Sequence, residues 1–167
     1  TSATTFFWSP FLNAADFEVV SDTELKVIFP AVFQAIRDRF LLVETPSGST
    51  VTMAGAVTEF TGTGSVTSSP TSNQIIAKAG SVLQGFPSIA RVVYVESGAV
   101  LRNVPSSSSS CVIFVEDGAT LDLRGTTFST SSPPRIFYSP TTTILGNLPA
   151  PTGGLGGPII PRQISSL

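Results

Sequence analysis

The sequence predicts an all-β chain whose larger part is a short parallel β-helix. Three observations carry that expectation. The stretches "QIIAKAGSVLQGF", "VVYVESGAVLRNV" and "CVIFVEDGATLDL" repeat one pattern: an apolar run, polar residues, a glycine, a small residue and a second apolar pair. Charged residues are only 12% of the 167, about half the usual share, and Ser, Thr, Gly and Pro fill the gap. That mix suits short strands joined by turns and argues against long helices. Polar loops of variable length, such as "NVPSSSSS" and "TTFSTSSPP", separate the copies.

The first region, residues 1–52, carries most of the acidic residues and reads as strands at "TTFFW", "DFEVV", "ELKVIF" and "RFLLVET". The piece "AVFQAIRD" is expected to form one or two helical turns. The second region, residues 53–146, is the repeat. Gly80, Gly98 and Gly118 hold equivalent places, 18 and then 20 residues apart. Ala77, Val95 and Val115 precede the turn, and Leu83, Leu101 and Leu121 follow it. A fainter copy is read at "VTMAGAVTEF" around Gly55, and a degenerate one at "IFYSPTTTIL", where residues 139–141 replace the glycine turn.

A period near 20 residues built from two short strands and a turn is the mark of a solenoid. One copy is too small to bury its own apolar side. Copies stacked at about 4.8 Å hide a shared column of Val, Ile and Leu. The glycine permits a corner with positive φ, which most residues resist. The expectation is about four to five coils. This pattern resembles the β-solenoid regions of bacterial surface proteins and phage tail proteins, in which "V-E-x-G-A-x-L" coils are common. The resemblance covers about 90 residues and is nearly silent on activity.

The front region has a resemblance of its own. "FEVVSDTELKVIFP" followed by "RFLLVETPSGSTV" is similar to the second half of an immunoglobulin-like IPT/TIG domain. That family runs a "V-V-S-D-T-x-L" strand, turn and strand to a proline, then ends a later strand in "V-x-x-P-x-G". The matching positions are Val19, Val20, Ser21, Asp22, Thr23, Leu25 and Pro30, then Val43, Pro46 and Gly48. The resemblance implies a partial Ig-like β-sandwich without its two opening strands. An unpaired sheet edge of that kind invites another strand.

The third region, residues 147–167, is a Pro/Gly-rich tail that turns apolar at "GPIIPRQISSL". A proline followed by Ile159, Ile160, Ile164 and Leu167 is similar to the family's missing opening strand. Three readings of it stand side by side. The tail is donated to the front half of a neighbouring subunit, building a head-to-tail filament. It folds back on its own chain. Or it caps the last coil of the solenoid. The first is the reading adopted, with an acceptor groove near Phe17, Val19, Leu25, Val27 and Leu41. The chain is then a structural subunit of an extracellular filament or surface appendage, and its partners are copies of itself. The alternative is a glycan-binding fragment of an adhesin or phage tail protein.

Composition narrows the other classes. Net charge is −2 with no basic cluster, so nucleic acid is not an expected partner. Histidine is absent, which removes the commonest general base and metal ligand. One cysteine, Cys111, allows neither an internal disulfide nor a zinc cluster, and it opens an apolar run as a small buried hydrophobe. No apolar run nears the roughly 20 residues that span a bilayer. The chain begins at Thr1 without a basic n-region or apolar h-region, and is read as a processed or partial chain from outside the cell.

Four features invite a sharper function. Glu96 and Glu116 fall at equivalent places on successive coils, with Asp117, Asp122, Arg102 and Arg124 nearby. A carboxylate pair of this kind can cleave polysaccharide, but corner glutamates facing solvent need no chemistry, so no enzyme, cofactor or metal is expected. Phe6, Phe7, Trp8 and Phe11 form an aromatic cluster suited to sugar stacking or, more simply, to a core or interface. The threonines at 141–143 have no matching threonines in the other coils and are not read as a flat ladder. "GGLGG" follows no strand of a βαβ unit and is not a phosphate loop.

Overall fold

The computed structural model describes residues 57–67, 74–88, 90, 92–106, 111–130 and 133–149 in full. Of residues 4–7, 17–21, 24–27, 39–45, 48–54, 157–158 and 161–166 it describes the strand backbone. The regular elements among the described residues are all strands. The chain divides into two units, one holding residues 1–55 and 163–167, the other residues 56–162.

The second unit is a β-solenoid. One parallel sheet stacks β6 (Val57–Phe60), β8 (Gln74–Ala77), β10 (Val92–Val95), β12 (Val112–Val115) and β14 (Arg135–Tyr138), followed by β16 (Gly157–Pro158). A second stacks β7 (Thr63–Gly64), β9 (Val82–Leu83), β11 (Val100–Arg102), β13 (Thr120–Asp122) and β15 (Thr143–Leu145). Each coil gives one strand to each sheet, so five strand pairs wind about four full turns.

The register explains why the repeat is written as it is. Val93 pairs with Ile75 and Ile113, and Ile113 with Ile136, giving one buried column. Ala77, Val95 and Val115 form the next, and Leu83, Leu101 and Leu121 the facing one in the second sheet. Phe86, Ala90, Val104, Cys111 and Leu123 close the core from the returning loops. Burying one such Leu or Val contributes about 2 kcal/mol, and no single coil has a partner for it until the next coil stacks.

Corners between the sheets are four-residue turns. The N–H of Ser81 donates to the Lys78 carbonyl, that of Ala99 to Glu96, and that of Ala119 to Glu116, at 2.9, 2.9 and 3.2 Å. Gly80, Gly98 and Gly118 take the third place with φ of 78°, 76° and 71°. A side chain at such φ is strained, which is why the glycine recurs. The fourth corner differs as its sequence suggests. Thr142 N–H donates to Ser139, Pro140 holds the second place, and Thr141 keeps a negative φ, so no glycine is needed.

The first coil is placed differently from the expectation. The run "VTMA" lies in β5 (Gly48–Ala54), outside the solenoid, and Gly55 is outside the described residues. The corner glycine of the first coil is Gly62, with φ of 83°, whose carbonyl accepts from Val82 N–H at 2.7 Å. The apolar run "VTMAGAV" spans the end of one element and the start of another, and its glycine imitates a corner.

In the first unit, one sheet has the order β1 (Thr4–Phe7), β4 (Arg39–Thr45), β5, β17 (Pro161–Ser166). The β1–β4 and β4–β5 pairs are antiparallel, and the Thr45↔Gly48 pairing leaves a two-residue loop at positions 46–47. A separate antiparallel hairpin joins β2 (Phe17–Ser21) to β3 (Glu24–Val27), with an irregularity between Val19 and Ser21. The four strands expected in residues 1–52 fall on β1 to β4. The helical turns expected at residues 31–38 lie outside the described residues.

Candidate functional site

Two places were singled out by sequence: the carboxylates at the solenoid corners and the C-terminal strand with its acceptor.

Glu96 and Glu116 follow the paired residues Val95 and Val115, so they do sit one above the other on successive coils. Their carboxylates are committed to the corner below. Glu96 Oε2 accepts from the Ala79 N–H at 3.0 Å, while Oε1 takes Lys78 Nζ at 2.5 Å. Glu116 Oε2 accepts from the Ser97 N–H at 2.7 Å, and Oε1 takes the Tyr94 hydroxyl at 2.6 Å. At the fourth corner Ser139 Oγ donates to Asp117 Oδ1 at 3.1 Å, and Thr142 Oγ1 donates to the Glu116 carbonyl at 3.0 Å. Each corner therefore clamps the one before it. The Glu96 side chain is only 17% exposed, whereas solvent-facing glutamates were expected.

The ionisation of the partners follows. The hydrogen bond to Glu96 holds the Lys78 ammonium above its ordinary value, so it stays charged. Burial, then the bond to Glu116, pushes the Tyr94 hydroxyl well above its usual range, so it remains a proton donor. On the second sheet Arg124 forks onto Asp122 at 2.8 and 2.7 Å and holds that carboxyl down at about 2. These acids cap and pair. Among the described residues no group of three or more His, Cys, Asp or Glu could hold a metal ion, and no helix is long and apolar enough to cross a membrane.

One feature of the first solenoid sheet escaped the sequence reading. Strands β8, β10 and β12 are buried on both faces. The inward residues alternate with Ile76, Tyr94, Phe114 and Phe137, which form an outer column. The Phe114 and Phe137 rings stack at 5.2 Å between centroids, with Tyr94 at 6.2 Å from Phe114. The continuous runs "VVYV" and "VIFV", unlike an apolar/polar alternation, were the available signal.

The C-terminal tail supplies a strand to two sheets. Its first, β16, continues the solenoid sheet beyond β14, with Phe137↔Gly157 and Tyr138↔Pro158 in parallel register. Its second, β17, is hydrogen-bonded beside β5 at the edge of the front sheet. Both cis readings of the tail are thus present in the single chain: it caps the solenoid sheet and it joins its own front sheet.

The named contact residues fall as follows. Ile164 lies on β17, while Ile159, Ile160 and Leu167 are outside the described residues. Phe17 and Val19 lie on β2, and Leu25 and Val27 on β3, away from the sheet that β17 enters. Leu41 is on β4, the strand on the far side of β5 from the tail. The strand beside the tail is β5, which the sequence reading had assigned in part to a coil. Its seven-residue run "GSTVTMA", rich in β-branched residues, was the signal for it. Of the aromatic cluster, Phe6 and Phe7 lie on β1, and Trp8 and Phe11 are outside the described residues.

Compared with family models, curated proteins and solved structures, the chain matches none.

Proposed function

We propose that this chain is a structural subunit of an extracellular filament or surface appendage, assembled by exchange of its C-terminal strand between copies. The observation that carries the reading is the position of β17, hydrogen-bonded to β5 and last in the order of its sheet. A strand at the end of the chain that completes a sheet more than a hundred residues earlier can do so in its own copy or in the next. The backbone bonds are the same in both cases, and a head-to-tail exchange does not close on itself.

The rest of the molecule suits that work. The solenoid offers a rigid rod in which each corner is clamped to its neighbour. Low charge, abundant Ser and Thr, and a single cysteine fit an exported protein. The β2–β3 hairpin lies at the "V-V-S-D-T-x-L" stretch and the β4–β5 hairpin spans "V-x-x-P-x-G", which supports the partial Ig-like reading of the front region. The test is assembly of the full chain against Ile164→Pro, which removes a ladder N–H from β17. Filaments by electron microscopy for the parent and none for the variant are expected. Equal polymerisation of both would remove the tail from the account.

A further inference from the structure

We infer that the edge of β5 is a strand-acceptor site with two rival occupants, the chain's own β17 and the β17 of a second copy, so that the tail blocks assembly until it is released. The inference rests on the assembly reading above and adds how that assembly is gated. Its basis is the sheet order: in a single chain the place next to β5 is already taken by residues of the same chain.

The geometry of the tail makes the competition unequal. The strand β16 is paired to β14, and only Ile159 and Ile160 separate it from β17. A strand held so close is presented to its own sheet at an effective concentration in the millimolar range. A free strand at micromolar concentration therefore loses to it by a factor of roughly a hundred to a thousand. Exchange between copies requires unimolecular departure of β17 first. Pro158 and Pro161 bracket the junction. Each lacks an N–H and resists recruitment into a continuous ladder, so the two strands stay separate and β17 can leave while β16 stays.

The experiment uses the full chain and a fluorescein-labelled peptide of residues 161–167. Binding is measured to the parent and to Ile164→Pro, whose own tail strand is disabled while β5 is untouched. The peptide is expected to bind the variant about a hundredfold more tightly than the parent. Equal affinity for both, or binding to neither, overturns the inference. Protection of the buried Cys111 thiol shows whether the variant keeps its solenoid.

A second measurement needs no variant. Hydrogen exchange of the parent, diluted tenfold within its monomeric range, is expected to leave the amides of 48–54 and 161–166 equally protected. Protection that falls with dilution, or an open β5 edge in the monomer, also overturns it. The two proposals fail separately. Peptide selectivity for the variant, together with a parent that stays monomeric at every concentration, upholds the acceptor edge and removes the filament. Filaments that form from Ile164→Pro at the parent rate remove the tail as donor.

Discussion

The solenoid and the front sheet are built from strands of similar length, but they close over very different distances along the chain. Each solenoid strand pairs with one about 20 residues away, and the same columns recur in every coil. The front sheet brings β17 beside β5 across more than a hundred residues. Local closure costs little chain entropy, and its partner is always at hand. Distant closure has no such guarantee, and a neighbour's strand can take its place. The lesson is that the repeat region can serve as the fixed body of the molecule while the front sheet serves as its joint.

Substitutions that damage one region should leave the other working. The largest effect is expected inside the solenoid. Leu101 is fully buried between Leu83 and Leu121, and Leu101→Ala should destabilise the solenoid by about 3 kcal/mol. Denaturant unfolding read by Cys111 reactivity measures this. Ile164→Pro, by contrast, should leave that transition where it is. A shift of the Cys111 transition in Ile164→Pro would mean that the two regions fold as one.

Gly146 is expected to come next. It ends the last described coil with φ of 93°, and an added Cβ would lie 2.8 Å from the carbonyl carbon of Leu123. Gly146→Ala combines that clash with about 2 kcal/mol of left-handed strain. Gly80→Ala, at φ of 78° with nothing within 4 Å, should show the strain alone. Thermal melting of the pair separates the two contributions.

A smaller effect has the opposite sign. The Ser81 hydroxyl is buried without a hydrogen-bond partner among the described residues. The hydrogen bonds of Val100 to Ser81 and of Thr120 to Ala99 put Ser81, Ala99 and Ala119 at equivalent places in successive corners. Ser81→Ala should stabilise the solenoid by about 1 kcal/mol by removing the unmet polar group. A drop in midpoint would show that the hydroxyl has a use the corner geometry does not reveal.

The smallest expected effect is electrostatic. Asp122 is held at about 2 when folded, below the usual carboxylate value of roughly 4. A depressed folded value stabilises the native state above the unfolded value, and that stability is lost as pH falls from about 4 through 2. The Asp122–Arg124 pair lies at the surface, with Arg124 68% exposed, so screening keeps the effect small. Arg124→Gln should flatten the fall in stability over that window without moving the plateau near neutral pH. An unchanged acid limb would deny the pair any part in it.

The same comparison explains what the sequence made legible. Gly80, Gly98 and Gly118, with Leu83, Leu101 and Leu121, marked the corner and the core column because each coil repeats the same steric demand. Even the glycine-free corner at Ser139 was readable, since Pro140 sets a turn that needs no positive φ. Gly62 was missed because its coil is shorter at the corner, and Gly55 stood nearer the expected spacing. The second corner of each coil was also missed. Asn103, Gly125 and Gly146 all adopt positive φ there, and the Asn103 side chain bonds the Gln84 carbonyl of the coil before. Mixed residue types at that place hide the repeat. In the front sheet no period exists to read. Pairing of β17 with β5 is set by which edges are left over once the local hairpins have formed, and a single sequence carries no count of them.

Strand exchange can be watched directly by placing a photo-crosslinking group at position 164 and mixing ¹⁴N- and ¹⁵N-labelled chains before assembly. In filaments the link from 161–166 is expected to land on 48–54 and to join chains of different label, while the diluted monomer gives same-label links at the same place. Links that stay within one label in the assembled material, or that land away from β5, would contradict the account.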